Sequence, residues 1–151
     1  MRSFRSITLF FFVCITLISA APKADDPDAV LGKWLSSKKR NQVLIYKQGD
    51  KYYGKIVWML EPNDPATKKP KLDVENPDEK LRQHPLVNLI VLKNLTYQGN
   101  RVWGGGEVYN PEDGKTYNCD VILKDANNLD IHGYIMGISF LGRTRTWTRV
   151  K

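Results

Sequence analysis

From residue 43 to residue 150 the chain is built of short runs rich in β-branched and aromatic residues, broken by turn signals at Gln48-Gly49-Asp50, Gln98-Gly99-Asn100, Pro111-Glu112-Asp113-Gly114 and Ala126-Asn127-Asn128. Runs of that length alternate apolar and polar residues with a two-residue period, so each can bury one face only. With a first strand opening at Trp34, the predicted strands are that one and 43–47, 51–60, 89–97, 101–109, 115–124, 129–135 and 143–150. Eight short strands with almost no helix predict an all-β fold, an antiparallel up-and-down β-barrel. Closure is favoured over a sandwich because it leaves no strand edge unpaired.

A closed sheet requires the two chain ends to meet. Gly32-Lys33-Trp34 supplies a glycine and an indole at the start, and Thr146-Trp147-Thr148-Arg149 supplies aromatic and basic residues at the finish. Gly32, Trp34, Trp147 and Arg149 are therefore read as the structural closure of one barrel end.

The N-terminus is a different kind of segment. Arg2 and Arg5 precede an apolar run over 7–18 that ends in Ser19, Ala20 and Ala21, the layout of a secretory signal peptide over residues 1–20. About a dozen apolar residues are too few for the roughly twenty that span a bilayer, so no transmembrane segment is expected after cleavage. The remaining 21–151 are expected to form one domain, periplasmic or secreted. Without Arg2 and Arg5 the chain's 23 basic residues become 21 against 16 acids, a net charge of +5. Without Cys14, Cys119 stands alone and cannot close an internal disulfide. Because Tyr117, Cys119, Val121 and Leu123 alternate with more polar residues, Cys119 is expected to be buried.

Residues 61–85 hold five of the eight prolines and read as one long connection. Within it Asn76-Pro77-Asp78-Glu79 has an N-cap acceptor followed by proline and acids, which predicts a short helix through Lys80, Leu81 and Arg82. Asp26-Pro27-Asp28 predicts a single helical turn over 28–31 in the same way. In the longest strand, alternation puts Tyr52, Gly54, Ile56, Trp58 and Leu60 on the side assigned to the core.

At this point the residues carry a resemblance. Val30-Leu31-Gly32-Lys33-Trp34, Tyr53-Gly54-Lys55-Ile56-Val57-Trp58, Glu61-Pro62-Asn63-Asp64-Pro65, Asn76-Pro77-Asp78, Leu81-Arg82, Tyr109-Asn110-Pro111-Glu112-Asp113-Gly114-Lys115-Thr116-Tyr117, Leu141-Gly142-Arg143-Thr144 and Thr146-Trp147-Thr148-Arg149-Val150 follow in order along nearly the whole mature chain. Together they resemble the bacterial exported family known as domain of unknown function 2147. The resemblance implies a lipocalin-like barrel, periplasmic or secreted from a Gram-negative bacterium, and no established activity. His84 and His132 stand where relatives tend to carry arginine, so the resemblance alone supplies no arginine pair for an anionic pocket. The Gly32-x-Trp34 opening is also similar to that of the wider calycin group, which implies a basic partner for Trp34 from the last strand. That partner would be Arg149, or Arg145 if the strand is slipped by two residues.

No catalytic or metal-binding pattern is visible. His84 precedes Pro85, and neither His84 nor His132 has a second histidine or paired cysteines at ligand spacing, so no metal and no cofactor are expected. Ser139 lacks a glycine elbow and Cys119 lacks a neighbouring base, so the chain is expected not to be an enzyme, a hydrolase being the minor alternative. Gly104-Gly105-Gly106 leads into strand rather than helix and reads as a bulge, not a phosphate cradle. The stretch from Arg143 to Arg149 interleaves aromatic and basic residues as nucleic-acid binders do, but an exported chain is expected to meet no nucleic acid. The leading expectation is a barrel that takes a small apolar or fatty-acid-like ligand, with Tyr52, Trp58, Trp103, Tyr117 and Arg145 as candidate binding residues. The alternative is a packed barrel that contacts a protein or envelope component through the long connection, with Asn76, Asp78 and Arg82 as candidate contacts and a homodimer as a further expectation.

Overall fold

The computed structural model describes residues 25–135 and 138–151, with backbone alone for 138–141. The signal-peptide reading of residues 1–20 lies outside the described residues. Eight strands follow in chain order: β1 (Gly32–Leu35), β2 (Asn41–Gln48), β3 (Lys51–Met59), β4 (Ile90–Gly99), β5 (Val102–Asn110), β6 (Lys115–Leu123), β7 (Asn128–Ile135) and β8 (Ile138–Arg149). Each pairs antiparallel with the next, and β1 pairs with β8, which closes the barrel. The predicted strands are all present, with ends displaced by a few residues; β8 begins five residues before the predicted Arg143.

Two local expectations change in detail. The helix of the long connection is a 3-10 turn, Glu79–Leu81, capped by Asp78 rather than Asn76, with the Asp78 side chain accepting from the Lys80 amide. The segment before β1 forms consecutive turns, Ala29 N to Asp26 O and Leu31 N to Asp28 O, instead of a helix.

Up-and-down topology gives the barrel two unlike ends. At one lie the hairpin turns β2–β3, β4–β5 and β6–β7 together with residues 25–31, and this end is packed shut. Trp34, Trp103, Tyr52, Ile45, Leu95 and Leu129 are all buried there. The N-terminal segment is tied across it: the Trp103 indole donates to Pro27 O at 3.0 Å and the Tyr52 hydroxyl donates to Asp28 Oδ1 at 2.7 Å.

The closing pair decides the register. Trp34 is the direct cross-strand partner of Arg149, with no two-residue slip to Arg145. The Arg149 guanidinium lies 4.1 Å from the Trp34 ring centre and donates to the carbonyls of Leu31, Ala29 and Ala126 at 2.8, 2.7 and 2.6 Å. The Trp34 indole in turn donates to Val30 O at 2.8 Å. Gly32 is required beside them, because it has φ +124° and a Cβ there would stand 2.9 Å from Arg149 Nη1.

Several strand pairs carry register shifts, and those of β3 against β2 and β5 against β6 bear on the sequence expectations. Successive residues Gln42 and Val43 pair with Trp58 and Ile56, so Val57 is an extra residue in β3. On β5, Trp103 and Gly106 pair with Val121 and Cys119, which makes the glycine run the bulge its composition predicts.

Candidate ligand-binding site

The opposite end of the barrel is open, and the reason is in the side chains. Where the closed half is filled by Trp34, Trp103 and Tyr52, this half has smaller inward residues at Val43, Ile56, Val91, Val108, Ile131 and Gly133, with Tyr109, Tyr117 and Tyr134 near the mouth ends of their strands. With Met59 and Trp147 they surround a cavity of about 810 Å³. Volumes of about 300 to 1,000 Å³ are typical of small-molecule sites. The mouth is made by the β1–β2 and β5–β6 loops, with Lys71 and Leu86 from the long connection.

That connection is held over the mouth by a buried carboxylate. Asp73 is fully buried, and its carboxylate accepts from the Tyr109 hydroxyl and from Asn76 Nδ2, both at 2.7 Å. Burial first, and then the Asp73 carboxylate, push the Tyr109 hydroxyl far above its ordinary pKa, which keeps it a donor. Tyr109 stands at the end of β5, so the connection is anchored to the barrel wall itself. The β5–β6 turn adds a second contact at Gly114, which has φ +68° and whose missing Cβ would run into the Glu75 carbonyl oxygen. Gly114→Ala should cost about 1–2 kcal/mol for the left-handed backbone alone, before the collision is relieved. Thermal unfolding is expected to fall by several degrees; an unchanged midpoint would mean the turn and the connection are not locked together.

The polar groups of the mouth are almost all spent on one another. Five basic side chains, Lys38, Arg40, Lys71, Arg143 and Arg145, share the cavity lining with the carboxylates of Glu61, Glu112 and Asp113. Lys38 pairs with Glu112 at 2.7 Å, while Lys71 and Arg40 share Glu61 at 3.3 and 3.2 Å. Lys71 chiefly, then Arg40, holds the Glu61 carboxyl below its ordinary pKa. Burial works against ionised Asp113, but the Lys115 amide, the Asn110 side chain and the Tyr117 hydroxyl hold its pKa down. Arg143 and Arg145 have no hydrogen bond or ion pair among the described residues. They share one face of β8 with Trp147, alternating with Thr144 and Thr146, and sit directly across from Gly133 and Ile131, so their side chains start on the inner face.

Residues 32–149 match the family described as "Uncharacterized protein conserved in bacteria (DUF2147)". The chain belongs to that family. The match runs from the first residue of β1 to the last of β8, so it takes in the whole barrel. The chain is also similar to a solved structure described as "Protein HP1028 from the human pathogen Helicobacter pylori belongs to the lipocalin family". That likeness has a TM-score of 0.69 at 25% identity and covers 80% of this chain and 82% of the other. No curated protein sequence matches the chain.

In this DUF2147 barrel the residues expected to bind a ligand fall in three places. Tyr117 and Arg145 line the cavity, as does Trp147. Tyr52 and Trp103 instead fill the closed half, in edge-to-face contact at 6.2 Å between ring centres. Trp58 is outside the cavity and 40% exposed, because the extra residue at Val57 reverses the alternation and Met59 turns inward in its place. Leu60, assigned to the same core side, is likewise exposed.

Asn76, Asp78 and Arg82 are engaged within the connection. Asn76 Oδ1 accepts from the Asp78 amide at 2.9 Å and Asn76 O accepts from Arg82 Nε at 2.7 Å. Sequence reading missed the Asp73–Tyr109 bond, because nothing sets Asp73 apart from the other five acids of residues 61–85.

Cys119 and His132 lie on neighbouring strands one register position apart, which puts their side chains on opposite faces of the sheet, and the Ser139 side chain lies outside the described residues. Cys119 is buried, and burial first, then the charges of Asp120 and Glu107, push its thiol up to about 12. Almost none of it is thiolate at neutral pH, which disfavours it as a nucleophile. His132 Nδ1 lies 2.9 Å from Thr144 Oγ1 on an adjacent strand. Among the described residues no group of three or more His, Cys, Asp or Glu side chains could hold a metal ion, and no helix is long and apolar enough to cross a membrane.

Proposed function

We propose that this DUF2147 chain is an exported, non-catalytic binder of a small, mainly apolar molecule held in the open half of its barrel. The observation that carries this reading is the 810 Å³ cavity with valine, isoleucine and methionine walls, set in a barrel whose other half is packed with tryptophan and tyrosine. A small eight-stranded barrel has room for one small ligand at most. The lipocalin-like fold supports the reading, and the leader-like residues 1–20 support export.

Native mass spectrometry of protein recovered from its own host tests it, together with titration of an environment-sensitive naphthylamine dye. A co-purifying small molecule, or a saturable dye response, is the expected result. A bare chain that gives no dye response would sink the reading.

A second reading rests on Leu60, Val74 and Leu81, which are 58%, 60% and 39% exposed on or beside the long connection. They favour a protein or envelope contact there. Val74→Ser with Leu81→Ser should remove such a contact and leave dye binding intact.

A further inference from the structure

The geometry points to an oxyanion headgroup on the ligand, and we infer that Arg143 and Arg145 hold it at the mouth while its apolar tail lies deeper in the barrel. This assignment rests on the cavity reading above. Its starting point is which cations of the cavity lining and of the closing seam already have partners. Arg149 is fully engaged by three carbonyls and the Trp34 ring. Lys38, Arg40 and Lys71 are paired to Glu112 and Glu61. Asp113, the remaining carboxylate of the lining, accepts from the Lys115 amide through Oδ1 at 3.0 Å and from the Tyr117 hydroxyl through Oδ2 at 3.2 Å. Arg143 and Arg145 are left as two positive charges with no protein anion among the described residues.

Their placement makes them a pair. Two residues apart on one strand, their Cα atoms are separated by about 6.8 Å and both side chains start on the same face. Like charges that close repel one another, although both residues are exposed at the mouth and water screens much of the repulsion. An oxyanion between them would relieve that repulsion, and the planar guanidinium suits a carboxylate or phosphate better than a lysine would. Trp147, two residues past Arg145 toward the closed end of β8, begins the apolar part of the wall with Ile131, Ile56 and Val43, and the described lining holds no further unpaired cation. The ligand is therefore an amphiphile bound head outward, a fatty-acid carboxylate or an alkyl phosphate.

Calorimetric titration of the mature chain with decanoate, decyl phosphate, 1-decanol and inorganic phosphate separates the outcomes. Decanoate or decyl phosphate is expected to bind about tenfold or more tighter than 1-decanol, as charge-assisted bonds to two guanidiniums require. That preference should shrink as sodium chloride is raised, a readout that needs no variant. The double variant R143Q/R145Q should lose the preference to within about twofold while binding 1-decanol as before, which also shows that it folds. Equal binding of anion and alcohol by the parent chain, or a preference that survives in the variant, would overturn the arginine assignment and leave the cavity reading standing. Inorganic phosphate binding as well as decyl phosphate would overturn the amphiphile in favour of a bare anion site. Failure of every decyl compound to bind would overturn the cavity reading itself.

Discussion

Trp34→Ala is expected to destabilise the barrel by about 3–5 kcal/mol, the usual cost of truncating a buried tryptophan. The local structure places it at the upper end. The indole is fully buried, its N–H satisfies the Val30 carbonyl, and its face carries the Arg149 guanidinium. Removing the ring leaves a cavity, an orphaned carbonyl and an arginine without its stacking partner, at the one seam where the first and last strands meet. A domain of this size has about 5–15 kcal/mol in total, so the loss is a large part of it. Chemical denaturation monitored by circular dichroism should show a much lower midpoint. A change under about 1 kcal/mol would mean that the seam does not close the barrel energetically.

Ile131→Trp is expected to reduce affinity for an apolar ligand by about tenfold or more with little loss of stability. Ile131 is a cavity-wall residue, 4% exposed, and its cross-strand neighbour is Arg145. A larger side chain there projects into open volume. Added bulk in a well-packed core costs about 1–3 kcal/mol, so a midpoint close to the parent's is itself a sign that the space exists. Each ligand methylene displaced forfeits about 0.8 kcal/mol, and two of them already amount to roughly tenfold. The same substitution at Leu129, which is fully buried in the closed half, should instead be strongly destabilising. Undiminished binding by Ile131→Trp would place the ligand elsewhere.

Much of the barrel is legible in the sequence because alternation and turn residues are local signals. Gln48-Gly49-Asp50 and Gln98-Gly99-Asn100 mark hairpins, and the eight strands follow from them. The closing seam is legible because Trp34 and Arg149 are unusual residue types at the two ends. What alternation cannot convey is an interruption of its own period. The extra residue at Val57 leaves no mark in composition, yet it turns Trp58 outward and Met59 inward.

A second loss comes from depth. Tyr52, Trp103 and Tyr117 all face inward, but only their distance along the barrel axis decides whether they pack or line a void. Tyr52 and Trp103 fall beneath the N-terminal segment and Tyr117 falls at the mouth. The Asp73–Tyr109 bond joins residues 36 positions apart, a pairing that no local pattern could report.

Methyl-resolved nuclear magnetic resonance of the chain with 1-decanol tests most directly whether an apolar molecule occupies the open half. Cross-relaxation is expected between the decyl chain and the methyls of Val43, Ile56, Val91, Val108 and Ile131, with none to Leu95 or Leu129. Contacts confined to exposed residues such as Leu60 and Val74, or no contacts at all, would contradict it.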